Sequence, residues 1–160
     1  MSLDSPQAQP IDATRFRFGV VAACFNEQLV NGLLARLAAV LHGAGVHRDA
    51  VELIRVPGSH EVPWAAQQLA ASGRVDCVVG LGVLIGGDTN HHEMVGQSVS
   101  LALQQVALGT GIPVINGVIV TNTLAQARAR CTGRINRGAE FGHAALSMAA
   151  LRRARKGKKS

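Results

Sequence analysis

The densest group of reactive side chains in the sequence lies in VVGLGVLIGGDTNHHEMVGQ, residues 78–97. An apolar run stops at Gly86-Gly87 and is followed at once by Asp88, Thr89, Asn90, His91, His92 and Glu93. Two chemistries suit such a segment. Adjacent histidines beside a glutamate suggest a metal, as in the helical motif that sets two histidines four residues apart around a general base. Four residues after His92, however, stands Gly96, and neighbours one apart on a helix point about 100° from each other. No Cys or Asp cluster nearby completes a ligand set, so no metal is expected. The second chemistry is phosphate binding. Gly86 and Gly87 let the backbone approach a ligand closely, and a helix opening near Asn90 offers unpaired N–H groups and partial positive charge. His91, in the first turn, then stands where it can hold or pass a proton beside a phosphate. The plainer alternative is that Asn90 and Glu93, at capping-box spacing, only start a helix, with His92 a packing or surface residue.

The elements that must position this segment follow from hydrophobic periodicity. A β-branched run from Phe16 reads as a buried strand, and the next stretch has helical spacing at Leu29, Leu33, Leu37 and Leu41 before Gly43 and Gly45 stop it. Val51 to Val56 reads as a second strand and Pro63 to Ala71 as a helix, with Pro63 in a first turn where its missing N–H costs nothing. Val75 to Leu84 is apolar at consecutive positions, as a parallel strand covered on both faces requires. A helix over Asn90 to Leu108 sets Val95, Val99, Ala102 and Val106 on one stripe, Ile112 to Val120 is the fourth strand, and helices at Leu124–Arg130 and Gly138–Arg153 finish the chain. Alternating strands and helices predict a three-layer α/β/α sandwich with a four-stranded parallel sheet. Ligands of such sheets gather at the carboxyl ends of strands. Four polar clusters follow those ends: Phe25 and Asn26, Ser59 to Glu61, Gly86 to His92, and Thr121 to Thr123.

Composition narrows the function classes. A chain of 160 residues with 48% apolar residues suits one domain, here expected over residues 16–153, between a flexible segment 1–15 and a basic tail 154–160. No apolar run approaches the roughly 20 residues of a membrane span, and the polar, proline-bearing N-terminus does not resemble a secretory signal, so a cytoplasmic location is expected. The net charge of +6 matches the six cations at Arg152, Arg153, Arg155, Lys156, Lys158 and Lys159, and the rest of the chain is near neutral. Aromatic residues are 3% of the chain and none interleaves that run, so it reads as a solvated tail and no nucleic-acid partner is expected. Cys24, Cys77 and Cys131 are too widely spaced for zinc or a redox pair, and Cys77 reads as a small core residue.

Taken in order, five pieces of the chain resemble the 6,7-dimethyl-8-ribityllumazine synthase family of riboflavin synthesis. They are Phe25-Asn26, VPGSHEVP (56–63), GDTNHHEMV (87–95), NGVIVTNTLAQARAR (116–130) and NRGAEFGHAAL (136–146). The resemblance implies a flavodoxin-like sheet and a condensation of 5-amino-6-(D-ribitylamino)uracil with 3,4-dihydroxy-2-butanone 4-phosphate, without cofactor or metal. It implies that Phe25 stacks on the pyrimidine, with Asn26, Ser59 and His60 lining that pocket. Glu61 would accept from ribityl hydroxyls, Gly87, Asp88 and Thr89 would hold the phosphate with Arg130 opposite, and His91 would transfer protons. It further implies a homo-oligomer built of pentamers, in which Asn116, Arg130 and Arg137 reach the site from the adjacent chain.

The pattern is departed from at Cys24 and Gly86, where arginine is frequent, at His60 and Asn116, where aromatic residues are common, and at Arg137, which replaces a frequent lysine. A lumazine- or flavin-binding relative with little catalytic activity is therefore the alternative reading. Among residues outside the motif roles, Trp64 reads as packing, and Glu140 as a complement to the dipole of the last helix.

Overall fold

The computed structural model describes residues 6–158. Its elements are β1 (Phe18–Ala23), α1 (Glu27–Gly43), β2 (Val51–Val56), α2 (Val62–Ala71), β3 (Cys77–Ile85), α3 (His91–Thr110), β4 (Val114–Thr121), α4 (Leu124–Cys131) and α5 (Arg137–Gly157), with short 3₁₀ turns at Arg48–Ala50 and Ser59–Glu61. The sheet is parallel throughout, in the order β2-β1-β3-β4. That order explains the hydropathy pattern strand by strand. The inner strand β1 is buried at every position and β3 at all but its last two, whereas the edge strands β2 and β4 mix buried and exposed positions.

Side chains alternate across each strand, so Val20, Ala22, Val79 and Leu81 face one layer and Val21, Ala23 and Val78 the other. On the first side α1, α4 and α5 cover the sheet, with Leu33, Leu37 and Leu41 of α1 fully buried; truncating one such leucine to alanine costs about 2–5 kcal/mol. On the second side α2 and α3 pack through Ala65, Ala66, Leu69, Val99 and Leu103. The helix over α3 buries Val99, Leu103 and Val106, a stripe rotated slightly from the expected one, while Met94, Leu101 and Leu108 lie exposed. Helix ends are closed by local chemistry: the Thr123 hydroxyl accepts from the Gln126 amide, the Asn136 side chain accepts from the Ala139 amide, and Gly111 takes the left-handed conformation after α3.

Four expectations shift. Asn90 is the residue before α3, but its side chain makes no capping hydrogen bond, so capping-box spacing at Asn90 and Glu93 does not become a capping box. The chain packs before Phe16, since Ala13 is buried and its amide donates to Ala44. At the other end α5 continues four residues past Arg153 to Gly157, and two of the expected tail cations are ordered parts of the fold. Arg153 donates to both oxygens of Asp76 at 2.9 Å and to the Arg15 carbonyl, Arg152 donates to Asp76 at 3.1 Å, and the Arg153 guanidinium lies over the Phe16 ring. Lys159 lies outside the described residues. Trp64, expected to pack, is 69% exposed in the single chain.

Candidate active site

At the carboxyl ends of β1, β2 and β3 lies an open cavity of about 500 Å³, a size suited to a small organic ligand. Its wall contains Phe25, Asn26, Ser59, His60, Glu61, Gly87, Thr89 and His91. Asp88, between two lining residues, is exposed and outside the wall. Asn116, Arg130 and Arg137 are also outside it.

Each wall residue is placed by a local device. The chain leaves β1 at Phe25, whose ring is 72% exposed and so is no core residue. Asn26 then takes a left-handed conformation at φ 56°, one that asparagine tolerates better than most residues, and its side-chain N–H donates to the Val83 carbonyl at 2.8 Å. This ties the β1 exit to the end of β3. After β2, the 3₁₀ turn carries Ser59 inward over Gly82, where a Cβ would come within 2.3 Å of the Ser59 Oγ, so glycine at this point of β3 leaves the Ser59 hydroxyl its place. The same turn sets Glu61 with one carboxylate oxygen accepting from the Gly58 amide at 2.9 Å and the other 4.0 Å from His60 Nδ1. Glu61 makes no side-chain cap for α2, whose start instead carries Pro63 as expected.

From the third strand, Gly87 and Thr89 lead to His91, the first residue of α3, exposed on the cavity side of a 20-residue helix. The unpaired amides and partial positive charge of such a helix start favour an anion. The floor is apolar, formed by Val83, Leu84, Ile85 and Val95, with His92 completing the wall beside His91. Periodicity alone gave no reason to assign His92 to the cavity, since its neighbour one residue back points about 100° away. Among the described residues no group of three or more His, Cys, Asp or Glu could hold a metal ion, and no helix is long and apolar enough to cross a membrane.

The three expected residues outside the wall are held elsewhere. Asn116 is exposed on the edge strand β4, its side-chain oxygen accepting from the Val118 amide at 3.1 Å. Arg130 donates to the Gln126 carbonyl one turn back along α4 at 3.1 Å. Arg137 pairs with Glu140 and lies over the Phe141 ring, so Glu140 is an ion-pair partner within the first turn of α5. The loop joining α4 to α5 is fastened by Arg36 of α1, which donates to the Thr132 and Gly133 carbonyls at 2.7 and 2.8 Å.

A family model described as 6,7-dimethyl-8-ribityllumazine synthase matches residues 15–153 of the chain. The chain belongs to the 6,7-dimethyl-8-ribityllumazine synthase family. Relatives carrying that name include a protein of Halorhodospira halophila, 43% identical over 138 residues that make up 86% of this chain and 88% of the relative. One of Gloeobacter violaceus is 41% identical over 89% of this chain and 81% of its own length, and one of Thermococcus gammatolerans 40% identical over 86% and 88%. The lumazine synthase match spans all four strands and all five helices but for the last four residues of α5, so the cavity lies wholly within it.

Proposed function

We propose that the chain condenses 5-amino-6-(D-ribitylamino)uracil with 3,4-dihydroxy-2-butanone 4-phosphate to give 6,7-dimethyl-8-ribityllumazine, phosphate and two waters. Beside family membership, one observation carries the reading: a single cavity joins an exposed aromatic ring, a carboxylate and a glycine-rich helix start bearing a histidine. Phe25 stacks on the pyrimidine, and Asn26, Ser59 and His60 border it. Glu61 has one oxygen engaged by the Gly58 amide; the other, acceptor-only when ionised, takes ribityl hydroxyls. Gly87, Asp88 and Thr89 carry the phosphate to the start of α3, Gly87 and Thr89 from the wall and Asp88 through its backbone with its carboxylate turned outward.

The uracil amine attacks the ketone carbon and water leaves, giving an imine. Loss of a proton from the hydroxyl-bearing carbon then expels phosphate from its neighbour, the resulting enol ketonises to a second carbonyl, and attack of the ribitylamino nitrogen on it closes the ring with loss of the second water. His91 moves protons in these steps, while the walls hold the two reactants together, a task that itself accounts for much of the rate. Bond making needs no redox or metal cofactor.

The same reading makes the site a shared one. Asn116, Arg130 and Arg137 serve it from the adjacent chain of a pentamer, with Arg130 opposing the phosphate as a forked, permanently charged donor. Their position outside their own chain's cavity supports this, as do the exposed Met94, Leu101 and Leu108, spaced seven apart along α3, with Val120 on the edge strand β4 and Leu124 at the start of α4. Three free cysteines suit the cytoplasm we infer for it. The test is to incubate purified protein with both substrates and follow lumazine fluorescence. The reading predicts turnover well above the spontaneous reaction; tight product binding with no such turnover would support a carrier instead.

A further inference from the structure

His92 is a half-buried imidazole in a narrow place between the exits of β3 and β4. The Gly86 amide donates to the Thr121 carbonyl at 2.7 Å, so the two strand exits remain paired beyond the end of β3. A Cβ on residue 86 would lie 2.8 Å from the Asn122 carbonyl oxygen, 3.1 Å from its Cα and 3.2 Å from His92 Nε2. Backbone blocks two of those directions, so a side chain at position 86 cannot be accommodated without moving the Asn122 turn. The imidazole stands over the remaining direction, and its Nε2 is 3.3 Å from the Asn122 side-chain oxygen. Asn122 is itself held, its amide donating to the Gln126 side chain at 3.0 Å.

We propose that His92 and Asn122 form a clasp that positions the phosphate-binding loop, residues 86–90, and thereby sets the affinity for the phosphorylated substrate. The inference rests on the phosphate assignment made above. Nε2–H donates to the Asn122 side-chain oxygen, and Nδ1 is buried without a hydrogen-bond partner among the described residues. A buried polar atom left in this way is costly, so other contacts must hold the ring in place against that cost. Here the ring closes the gap over Gly86 and at the same time walls the cavity next to Gly87, Thr89 and His91. His92 is a positioning residue: it holds the backbone that meets the phosphate, while His91 remains the exposed proton carrier. Glycine at position 86 suits the same place: the Asn122 backbone is the nearer obstacle to a side chain there and the His92 ring the next.

The experiment compares His92→Phe, which keeps a ring and loses the hydrogen bond, with His92→Gln, which keeps an amide N–H donor for Asn122. Asn122→Ala and the double variant His92→Phe/Asn122→Ala complete a cycle. Inorganic phosphate binding, measured by calorimetry without any turnover, is read alongside KM for each substrate. The clasp predicts that His92→Phe and Asn122→Ala each weaken phosphate and raise KM for the butanone phosphate about tenfold, the loss of one such hydrogen bond. KM for the ribitylaminouracil stays put, His92→Gln recovers most of the loss, and the double variant is no worse than either single one. Unchanged phosphate affinity in folded His92→Phe, or additive losses in the double variant, overturns the proposal. If the wild-type protein binds no phosphate at all, it is the assignment of the phosphate site that fails.

Discussion

At the amino ends of β1 and β3, Asp76 is surrounded: it accepts from the Arg17 amide and from the guanidinium groups of Arg152 and Arg153, and almost no part of it meets solvent. At the carboxyl ends of the same strands, Phe25 and His91 stand exposed, and Glu61 keeps one oxygen without a backbone partner. One end spends its charges on joining α5 to the sheet; the other leaves polar groups uncommitted and so able to meet a ligand. Strongly paired charge is therefore a poor guide to function here, and the end whose polar groups are left more open is where we propose the family's chemistry takes place.

The sharpest way to break this contrast is His91→Ala. Turnover should fall about a hundredfold to a thousandfold, the usual share of a positioned acid or base, with substrate affinity and thermal midpoint nearly unchanged. A comparable fall in stability would show that His91 belongs to the fold as Asp76 does.

Asp76→Ala is the opposite case, predicted to cost about 3 kcal/mol, the low end for breaking a buried ion pair because Arg153 remains 39% exposed. Turnover of the folded protein should survive. The loss also depends on pH. Burial pushes the Asp76 carboxyl up, but hydrogen bonds from Arg153 and the Arg17 amide, with the charges of Arg153 and Arg152, outweigh it and hold the carboxyl below its ordinary value. The stabilisation is thus complete above the unfolded carboxyl's pKa of about 3.9 and disappears as pH falls through the lower folded value. Denaturation followed from pH 7 downward should show wild type and Asp76→Ala converging only at the acid end.

A smaller effect is expected at Phe25. With its ring largely exposed, Phe25→Ala should leave stability within about 0.5 kcal/mol. KM for the ribitylaminouracil should rise about tenfold, the worth of one stacking contact. Smallest is the thiol chemistry. Burial pushes Cys77 up to about 12, with the Asp76 charge adding to it, and pushes Cys131 up to about 11, whereas Cys24 is exposed. A thiol reagent applied to the folded protein should label Cys24 alone, and mass spectrometry of the labelled peptides checks it.

The layers of the fold were legible because β1 and β3 are covered on both faces and so carry continuous apolar runs, while the helices carry their own period. The polar clusters at the strand ends were legible for a related reason: in a parallel sheet all four exits lie on one side. What could not be read was any pairing between distant parts of the chain. Arg152 and Arg153 look like the start of a solvated tail until Asp76, some 76 residues earlier in the chain, is brought beneath them. His92 looked like a neighbour without a task, because its partner Asn122 lies one whole helix and strand further on. Asn90 has the residue type and spacing of a cap but not the hydrogen bond, which depends on a loop path that spacing does not describe.

The central claim is that the cavity at the strand exits is half of a site whose phosphate-side arginine belongs to a neighbouring chain. It is tested most directly by mixing His91→Ala chains with Arg130→Ala chains, each nearly inactive alone, under conditions that exchange subunits. The shared site predicts that activity returns, to about a quarter of the sites at equal mixing, where an intact His91 from one chain meets an intact Arg130 from the next. Mixed assemblies verified by native mass spectrometry that remain as inactive as their parents would contradict it.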